Sequence, residues 1–159
     1  MDEKASHNDS SKSILLINGP NLNMLGLRER GIYGSRTLDD IVSELQENTK
    51  QRGIGFLAIQ SNSEGELVDA IQKSRDSVSF ILLNAGAYSH SSIAIRDALL
   101  AVAIPFIELH VSNVYSREPF RHRSLLSDIA EGVIVGFGAF SYNLALDAAI
   151  QYLAGRESD

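Results

Sequence analysis

The chain has 159 residues, of which 44% are hydrophobic and 21% are charged, and its formal net charge is −6. This length fits one domain with a substantial core, and the composition is ordinary for a soluble globular protein. The negative charge argues against a nucleic-acid or membrane-surface role, because neither partner would meet a basic face. No cysteine is present, so disulfides and thiolate metal sites are excluded.

The N-terminal segment, residues 1–12, is polar and has no apolar stretch of the kind found in secretory signals. No apolar run approaches the roughly 20 residues that a membrane-spanning helix needs. We therefore predict a disordered tail over residues 1–12, a single folded domain over residues 13–159 and, by default, a cytoplasmic location without membrane contact.

Five runs rich in apolar and β-branched residues alternate with helical patterns along the chain. They cover Ser13–Asn18, Ile54–Gln60, Val78–Asn84, Ile104–Leu109 and Gly132–Gly136. Their nearly continuous apolar character is typical of strands buried on both faces of a parallel sheet. The alternation predicts an α/β fold with a doubly wound, five-stranded parallel sheet in the order 2-1-3-4-5.

Helical patterns lie between the strands and after the last one. Their predicted starts are at Thr37, Ser63, Ser92 and Ser141. Asp40 and Glu66 stand three residues after Thr37 and Ser63, which is the spacing of a capping box. We expect the last helix to extend to Ala154. Its predicted buried side consists of Leu144, Ala148, Ile150 and Leu153.

Polar side chains cluster in three short segments, each at the carboxyl end of a predicted strand. The segments are Asn18–Asn23, Asn84–His90 and Glu108–Asn113. In an open parallel sheet such strand ends line one crevice, so the three segments should converge. Two long connections, Gly19–Arg36 and His110–Glu131, are expected to serve as lids or binding loops.

Two residue pairs in these regions suit acid–base chemistry on a small, oxygen-rich anion. Arg28 lies five residues before Tyr33, and a nearby guanidinium would favour the phenolate form of a tyrosine acting as a general base. Glu108 and His110 are two apart on a strand, so their side chains share one side, and the carboxylate would favour a proton-donating imidazolium. Either aromatic could instead be structural.

The remaining candidates suit anion binding, although each has a simpler alternative. Ser112 and Asn113 could hold a carboxylate together with the backbone N–H groups of Val111 and Ser112. Arg117 and Arg121 are four apart and could clamp an anion, or they could pair with nearby acids. No dinucleotide or Walker A motif is present, so no cofactor is expected.

His90 stands just before a predicted helix start, where it could bind a ligand or cap the helix. A zinc site built from His90, His110 and Glu108 is conceivable, but no pair has the usual local ligand spacing. We therefore predict no metal site.

Five motifs stand in order between about Ile14 and Leu153. They are Gly19-Pro20-Asn21-Leu22-Asn23, Arg28-Glu29 with Tyr33-Gly34, Asn84-Ala85-Gly86-Ala87-Tyr88-Ser89-His90, Glu108-Leu109-His110-Val111-Ser112-Asn113 and Arg117-Glu118-Pro119-Phe120-Arg121. Together they resemble the type II 3-dehydroquinate dehydratases, a family of hydro-lyases. One departure is Arg30-Gly31, where that family usually has a proline.

The resemblance implies a flavodoxin-like fold and a homo-dodecamer built as a tetramer of trimers. It also implies the trans elimination of water from 3-dehydroquinate through an enolate to give 3-dehydroshikimate. This is a step of the shikimate pathway towards chorismate and the aromatic amino acids. The implied enzyme uses no metal or organic cofactor, and residues 13–159 would be its catalytic domain.

The resemblance also implies a role for each matched residue. Tyr33 is the expected base, and Arg28 lowers its pKa from a mobile lid. Asn21 helps to stabilise the enolate through a water. His110 is the expected acid for the departing hydroxyl, and Glu108 orients it.

The substrate's carboxylate and hydroxyls are expected to contact a further set of residues. These are Asn84, His90, Val111, Ser112 and Arg121. Asp97 would reach the site of a neighbouring subunit.

Two alternatives remain open on the residues alone. A serine hydrolase could use Ser112 with His110, although Ser112 lacks the usual nucleophile-elbow context. A non-enzymatic, flavodoxin-like binding domain would need a phosphate- or flavin-binding loop after the first strand, where the run Asn18–Leu25 contains a single glycine.

Overall fold

A parallel sheet lies at the centre of the computed structural model, which describes residues 11–27 and 35–156. Its strands are β1 (Ser13–Asn18), β2 (Gly55–Gln60), β3 (Phe80–Asn84), β4 (Phe106–His110) and β5 (Gly132–Val135). The order is β2-β1-β3-β4-β5 with every pairing parallel. The predicted fold class and strand order are therefore confirmed. Residues 1–10, most of the predicted tail, lie outside the described residues.

Helices cover both faces of the sheet. They are α1 (Leu38–Gln51), α2 (Glu64–Lys73), α3 (Ile93–Val102) and α4 (Phe140–Gly155). Helices α1 and α4 pack with Ile14 and Leu16 on one face, and α2 and α3 pack with Leu15 and Ile17 on the other. Alternate residues of β1 thus enter opposite cores, which explains why the strand is apolar throughout.

Side chains cap the starts of α1, α2 and α3, whereas α4 begins at Phe140 after Ala139 without a side-chain cap, so its predicted start at Ser141 is not a cap. Thr37 and Asp40 form the predicted capping box of α1. The Ser63 side chain accepts a hydrogen bond from the Glu66 N–H at 3.4 Å, but the predicted reciprocal bond is not formed. The Glu66 carboxylate instead accepts a hydrogen bond from the Ser61 hydroxyl.

The predicted buried side of α4 was largely wrong. Leu144 and Ile150 are only partly buried and Ala148 is exposed, whereas Leu153 is buried as expected. The core-facing apolar residues are Tyr142, Ala145, Leu146, Ala149 and Leu153. Apolar residues occur on every side of this helix, so its sequence offers no polar face from which to read the rotation.

The carboxyl ends of β1 and β3 are joined by a very close backbone contact. Gly19 N–H donates to the Asn84 carbonyl at 2.8 Å. A Cβ atom on Gly19 would lie 2.3 Å from the Ala85 carbonyl oxygen, so only glycine fits there. This contact brings the first two polar segments together. None of the helices in the described ranges is long and apolar enough to cross a membrane.

Candidate active site

The three polar segments meet at a cavity of about 340 Å³ at the carboxyl ends of the strands. The predicted site residues that line it are Asn21, Asn84, His90, His110, Val111, Ser112 and Arg121, and Arg117 lies beside them. The predicted convergence is therefore observed for every described segment. Arg28 and Tyr33 lie outside the described residues, and Asp97 is exposed on α3 rather than at the cavity.

The floor of the cavity rests on a buried hydrogen-bond chain at the switch point of the sheet. Asn18 and Asn84 are register partners at the ends of β1 and β3. The Asn84 amide donates to the Tyr142 hydroxyl at 2.9 Å, and that hydroxyl donates to Asn18 Oδ1 at 2.7 Å. Burial raises the pKa of Tyr142 well above its ordinary value, so this hydroxyl stays protonated.

Asn84 is fixed on its other side as well. Its Oδ1 accepts a hydrogen bond from the Gly86 N–H at 3.3 Å. With Oδ1 so placed, the amide nitrogen is directed to the Tyr142 hydroxyl, and the orientation of the whole group is set by two partners. Asn84 therefore presents a preset amide to the cavity although it is only 2% exposed.

The Glu108–His110 pair lies at the end of β4. The imidazole Nε2 is 3.5 Å from Glu108 Oε1, and both side chains are buried. Burial alone would raise the pKa of Glu108, but hydrogen bonds from His110, Ser124 and Ser127 outweigh it and keep this pKa below its ordinary value. The pair is thus an ionised carboxylate held against an imidazole, and this contact fixes the orientation of the ring.

His90 stacks beside His110, with ring centroids 6.0 Å apart and an interplanar angle of 18°. Its Nδ1 is 2.8 Å from the Arg123 carbonyl oxygen. A carbonyl can only accept, so Nδ1 carries a hydrogen and, in the neutral ring, Nε2 is left as an acceptor. Ser92, not His90, caps helix α3 through the Ile95 N–H. These contacts leave His90 suited to binding a hydroxyl group.

The positive side of the cavity comes from the connection between β4 and β5. Arg121 Nε donates to Glu118 at 2.7 Å, and Arg117 Nε lies 3.9 Å from the same carboxylate oxygen. The backbone N–H of Glu118 itself has the largest effect in holding the pKa of the Glu118 carboxyl below its ordinary value. The guanidiniums of Arg121 and Arg117 lower this pKa further. Two cations sharing one acid leave a net positive charge at the cavity wall, which suits an anion.

Asn113 has a structural place instead. Its Oδ1 accepts a hydrogen bond from the Tyr115 N–H at 3.1 Å and starts a short 3₁₀ turn. Its side chain also packs close to Gly136, where φ is +93°. The suggestion that its amide helps to hold a carboxylate therefore finds no support in these contacts.

The zinc alternative also fails on geometry. Among the residues that the structure describes, no three histidine, aspartate or glutamate side chains are arranged to hold a metal ion. Glu108 is already engaged by His110 and two serine hydroxyls.

The dehydroquinase class II family model matches residues 12–150. The chain belongs to the class II dehydroquinase family. The family predicted from the sequence motifs is therefore confirmed, and with it the assignment to a family of dehydratases.

Named relatives of this class II dehydroquinase are highly similar over nearly their whole length. The 3-dehydroquinate dehydratase of Prochlorococcus marinus strain NATL1A is 59% identical over 140 residues, which is 88% of this chain and 97% of the relative. The 3-dehydroquinate dehydratase of Aeromonas hydrophila subsp. hydrophila is also 59% identical over 140 residues, 88% of this chain and 94% of the relative.

Solved structures agree with the fold. The type II dehydroquinase from Butyrivibrio crossotus has a TM-score of 0.83 at 45% identity, covering 87% of this chain and 97% of that one. The type II dehydroquinase from Propionibacterium acnes has a TM-score of 0.82 at 42% identity, covering 87% and 96%.

Two residues around this cavity, Asn62 and Tyr142, were missed by the sequence interpretation. Asn62 accepts hydrogen bonds from the Asn21 N–H at 3.0 Å and from the Tyr88 hydroxyl at 2.7 Å, so it ties two polar segments together. Tyr142 supports Asn84 from below. Tyr142 carries no local signal, because it reaches the site from α4. Asn62 follows the carboxyl end of β2, so the strand-end pattern that located the other segments could have located it.

Proposed function

We propose that this class II dehydroquinase removes water from 3-dehydroquinate in a trans elimination that proceeds through an enolate to 3-dehydroshikimate. The observation that carries the proposal is the buried Glu108–His110 pair, which opens onto a cavity flanked by Arg117 and Arg121. Such a site offers an acid beside an anion-binding wall. The activity agrees with the names of the relatives. On this proposal the enzyme serves the shikimate pathway.

His110 is the acid of the elimination. The leaving group is hydroxide, which departs poorly unless it is protonated as it leaves. Glu108 holds the Nε2 side of the ring, so Nδ1 is the nitrogen that can meet a ligand. The carboxylate stabilises the imidazolium before transfer and keeps the ring in one orientation.

Tyr33 is the base, and Arg28 favours its phenolate form. This part of the proposal is supported by the motif Arg28-Glu29 with Tyr33-Gly34 in the sequence. Removal of a proton alpha to a ketone creates an enolate, whose stabilisation should dominate catalysis. Asn21 faces the cavity and supports that charge through a water. This scheme requires the acid and the base to start in opposite protonation states.

The substrate's carboxylate and hydroxyls bind to the remaining lining residues. Backbone N–H groups of Val111 and Ser112 receive the carboxylate, with Arg121 supplying positive charge nearby. Asn84 and His90 contact hydroxyls, since one presents a fixed amide and the other an acceptor nitrogen. No cofactor takes part in this scheme.

The catalytic domain comprises residues 13–159 and assembles as a dodecamer, a tetramer of trimers. Exposed residues of α3 support this part of the proposal. Ile93 and Leu100 are 64% and 53% exposed, and at i−4 and i+3 they flank Asp97 on one side of the helix. An apolar surface around an acid suits a neighbouring subunit, into whose site Asp97 would reach.

A direct assay tests the proposal. Purified enzyme is mixed with 3-dehydroquinate, and the conjugated enone of the product is followed by ultraviolet absorbance. We expect turnover by the wild type and a loss of roughly 10²-fold or more in kcat for Tyr33→Phe, the scale of a lost general base. Tyr152→Phe is the matched control, because Tyr152 lies far from the cavity on α4.

The stereochemistry and the hydrolase alternative are tested separately. Two substrates are prepared, each with deuterium in place of one of the two hydrogens alpha to the ketone. Only the substrate labelled on the face opposite the departing hydroxyl should lose its deuterium. A wild type that is folded but inert towards 3-dehydroquinate contradicts the proposal. Covalent labelling of Ser112 by a fluorophosphonate would instead favour a serine hydrolase using His110.

A further inference from the structure

The carboxylate of Glu108 is held by two hydroxyl groups from the connection between β4 and β5. Ser124 donates to Oε1 and Ser127 donates to Oε2, so each carboxylate oxygen has its own hydroxyl partner. The Ser124 oxygen in turn accepts a hydrogen bond from the Leu126 N–H at 3.1 Å. That backbone bond orients the serine so that its hydrogen is directed at Glu108.

The segment that carries these serines is anchored on both sides. Its bonds are Arg123 O with His90 Nδ1 at 2.8 Å, Leu125 N–H with Ser89 O at 2.8 Å, Leu125 O with Arg96 Nη1 at 2.8 Å, and Asp128 with Arg96 Nη2 at 3.0 Å. The hydroxyls are therefore presented from a segment fixed to α3 and to the turn before it. We call residues 123–128 the serine segment.

Both hydroxyls act on a group that is costly to bury. Glu108 is fully buried, and an isolated carboxylate in such a place would take up a proton. Hydrogen bonds to a charged acceptor are roughly twice as strong as neutral ones, so two hydroxyl donors favour the ionised form strongly. The ionised form is the one that can stabilise a protonated His110.

We propose that Ser124 and Ser127 are positioning residues for the dehydration, which keep Glu108 ionised and aligned so that His110 works as the acid. This inference rests on the proposed function for its catalytic part. The serines touch neither the cavity nor a substrate, and they act only through Glu108. The serine segment thereby links helix α3 to the acid of the reaction.

Other charged and titratable groups surround this pair among the described residues. His90 stacks on His110 from the turn before α3. Arg117, Arg121 and their shared acid Glu118 face the cavity from the connection after β4. Arg96 is neutralised by Asp128 at the far side of the serine segment. None of these groups replaces the two hydroxyls, because the oxygens of Glu108 are occupied by Ser124, Ser127 and His110.

The first test is spectroscopic and needs no substrate. Infrared spectra are recorded through an acid titration, and the carbonyl stretch of protonated Glu108 is assigned as the band absent from Glu108→Gln. In the Ser124→Ala/Ser127→Ala variant this band should appear at a higher pH than in the wild type. Ser74→Ala is the matched control: it removes another buried hydroxyl, which donates to the Ile71 carbonyl at 2.6 Å.

The second test is a double-mutant cycle in kcat. We expect the double alanine to lower kcat by about 10-fold or more, a share of the 10²–10⁴-fold that a positioned acid contributes. In a Glu108→Gln background the same two substitutions should change kcat by less than about 3-fold, because their target is gone. Ser127→Thr, which keeps a hydroxyl, should retain more activity than Ser127→Ala.

Additive losses in the cycle, or a Glu108 band at the same pH in the wild type and the double alanine, would overturn the proposal. If the double alanine does not fold, the single variants are titrated and assayed in the same way. If the Glu108 titration shifts as expected while the wild type fails to dehydrate 3-dehydroquinate, the dehydratase proposal is overturned. The conclusion that the Ser124 and Ser127 hydroxyls stabilise ionised Glu108 then still stands.

Discussion

Asn84 and Tyr142 are 58 residues apart in the chain, yet the amide of one donates to the hydroxyl of the other at 2.9 Å beneath the cavity. The same hydroxyl donates to Asn18, so one phenol joins the ends of β1 and β3. All three side chains are buried. A buried polar chain of this kind is stabilising only when every member is satisfied, which makes Tyr142 the group on which both asparagines depend.

Replacing Tyr142 with phenylalanine should therefore destabilise the fold. The substitution leaves an amide N–H and an amide oxygen without their partner, at a cost of about 1–3 kcal/mol in the free energy of unfolding. Urea denaturation measures it. Tyr152→Phe removes a partly exposed hydroxyl that lies 3.4 Å from Glu131, and should cost little. The KM for substrate should also rise in Tyr142→Phe alone, because Asn84 loses one of its two anchors.

An equal and small effect of the two Tyr→Phe substitutions on stability would contradict this view of Tyr142. It would mean that the asparagines find other partners, such as water, once the phenol hydroxyl is gone.

Gly19 should not tolerate alanine. The new Cβ would lie 2.3 Å from the Ala85 carbonyl oxygen and 2.6 Å from its carbon, so backbone must shift at the switch point. We expect a loss of about 1–3 kcal/mol in the free energy of unfolding, the usual range for overpacking. We also expect a lower kcat/KM, because Pro20 and Asn21 move with Gly19.

Gly132→Ala is the control for that substitution. An added Cβ at Gly132 meets nothing within 4 Å, and its φ is not positive, so the change should be neutral or stabilise by about 0.4–1 kcal/mol. Urea denaturation of both variants measures their free energies of unfolding. Equal free energies of unfolding in Gly19→Ala and Gly132→Ala would show that the close contact between Gly19 and Ala85 does not exclude a side chain at Gly19.

The order of the sheet could be predicted from the sequence because the strands are apolar on both faces and the first three helices have local caps. Thr37 and Asp40 lie three residues apart, and that spacing alone predicted the start of α1. The rotation of α4 could not be predicted in the same way. Residues such as Ala148 and Ala149 look alike in sequence, and only packing against β3 and β4 decides which one is buried.

In the candidate site, too, local patterns could be predicted from the sequence and tertiary contacts could not. Glu108 and His110 were predictable as a pair because strand periodicity places both on one side. Ser124 and Ser127 were not, because the connection that carries them has no regular period and returns to β4 through tertiary contacts. The roles of Tyr33 and Arg28 stay predictions, since both lie outside the described residues.

Stability should depend on pH through Asp128. The hydrogen bond from Arg96 holds the pKa of Asp128 below its ordinary value of 3.8. A depressed folded-state pKa contributes stability above the unfolded value, and the contribution is lost as pH falls through the folded one. Asp128→Asn should therefore be less stable than the wild type at about pH 7, and the difference should shrink at about pH 3.

The size of that difference should be small, because Asp128 is exposed and solvent screens the pair. Urea midpoints at both pH values provide the measurement. Asp147→Asn is the control, since Asp147 is exposed on α4 and forms no ion pair within the described part of the chain. A difference that persists unchanged under acid would rule out the ion pair as its origin.

Arg121 should govern the affinity for the anionic substrate. Its guanidinium lines the cavity and is held by Glu118 at 2.7 Å. Arg121→Gln keeps a polar side chain but removes the charge, and we expect KM to rise by about 10-fold or more, the scale of a charge-assisted hydrogen bond. The KM of the wild type should also rise with salt, and this dependence should weaken in Arg121→Gln, since screening acts on the lost charge.

Arg52→Gln is the control: it removes the same charge after α1, where Arg52 contacts Asn48, and should leave both KM and its salt dependence unchanged. Matching salt dependences in the wild type and Arg121→Gln would contradict a role for the Arg121 charge in holding the substrate's carboxylate.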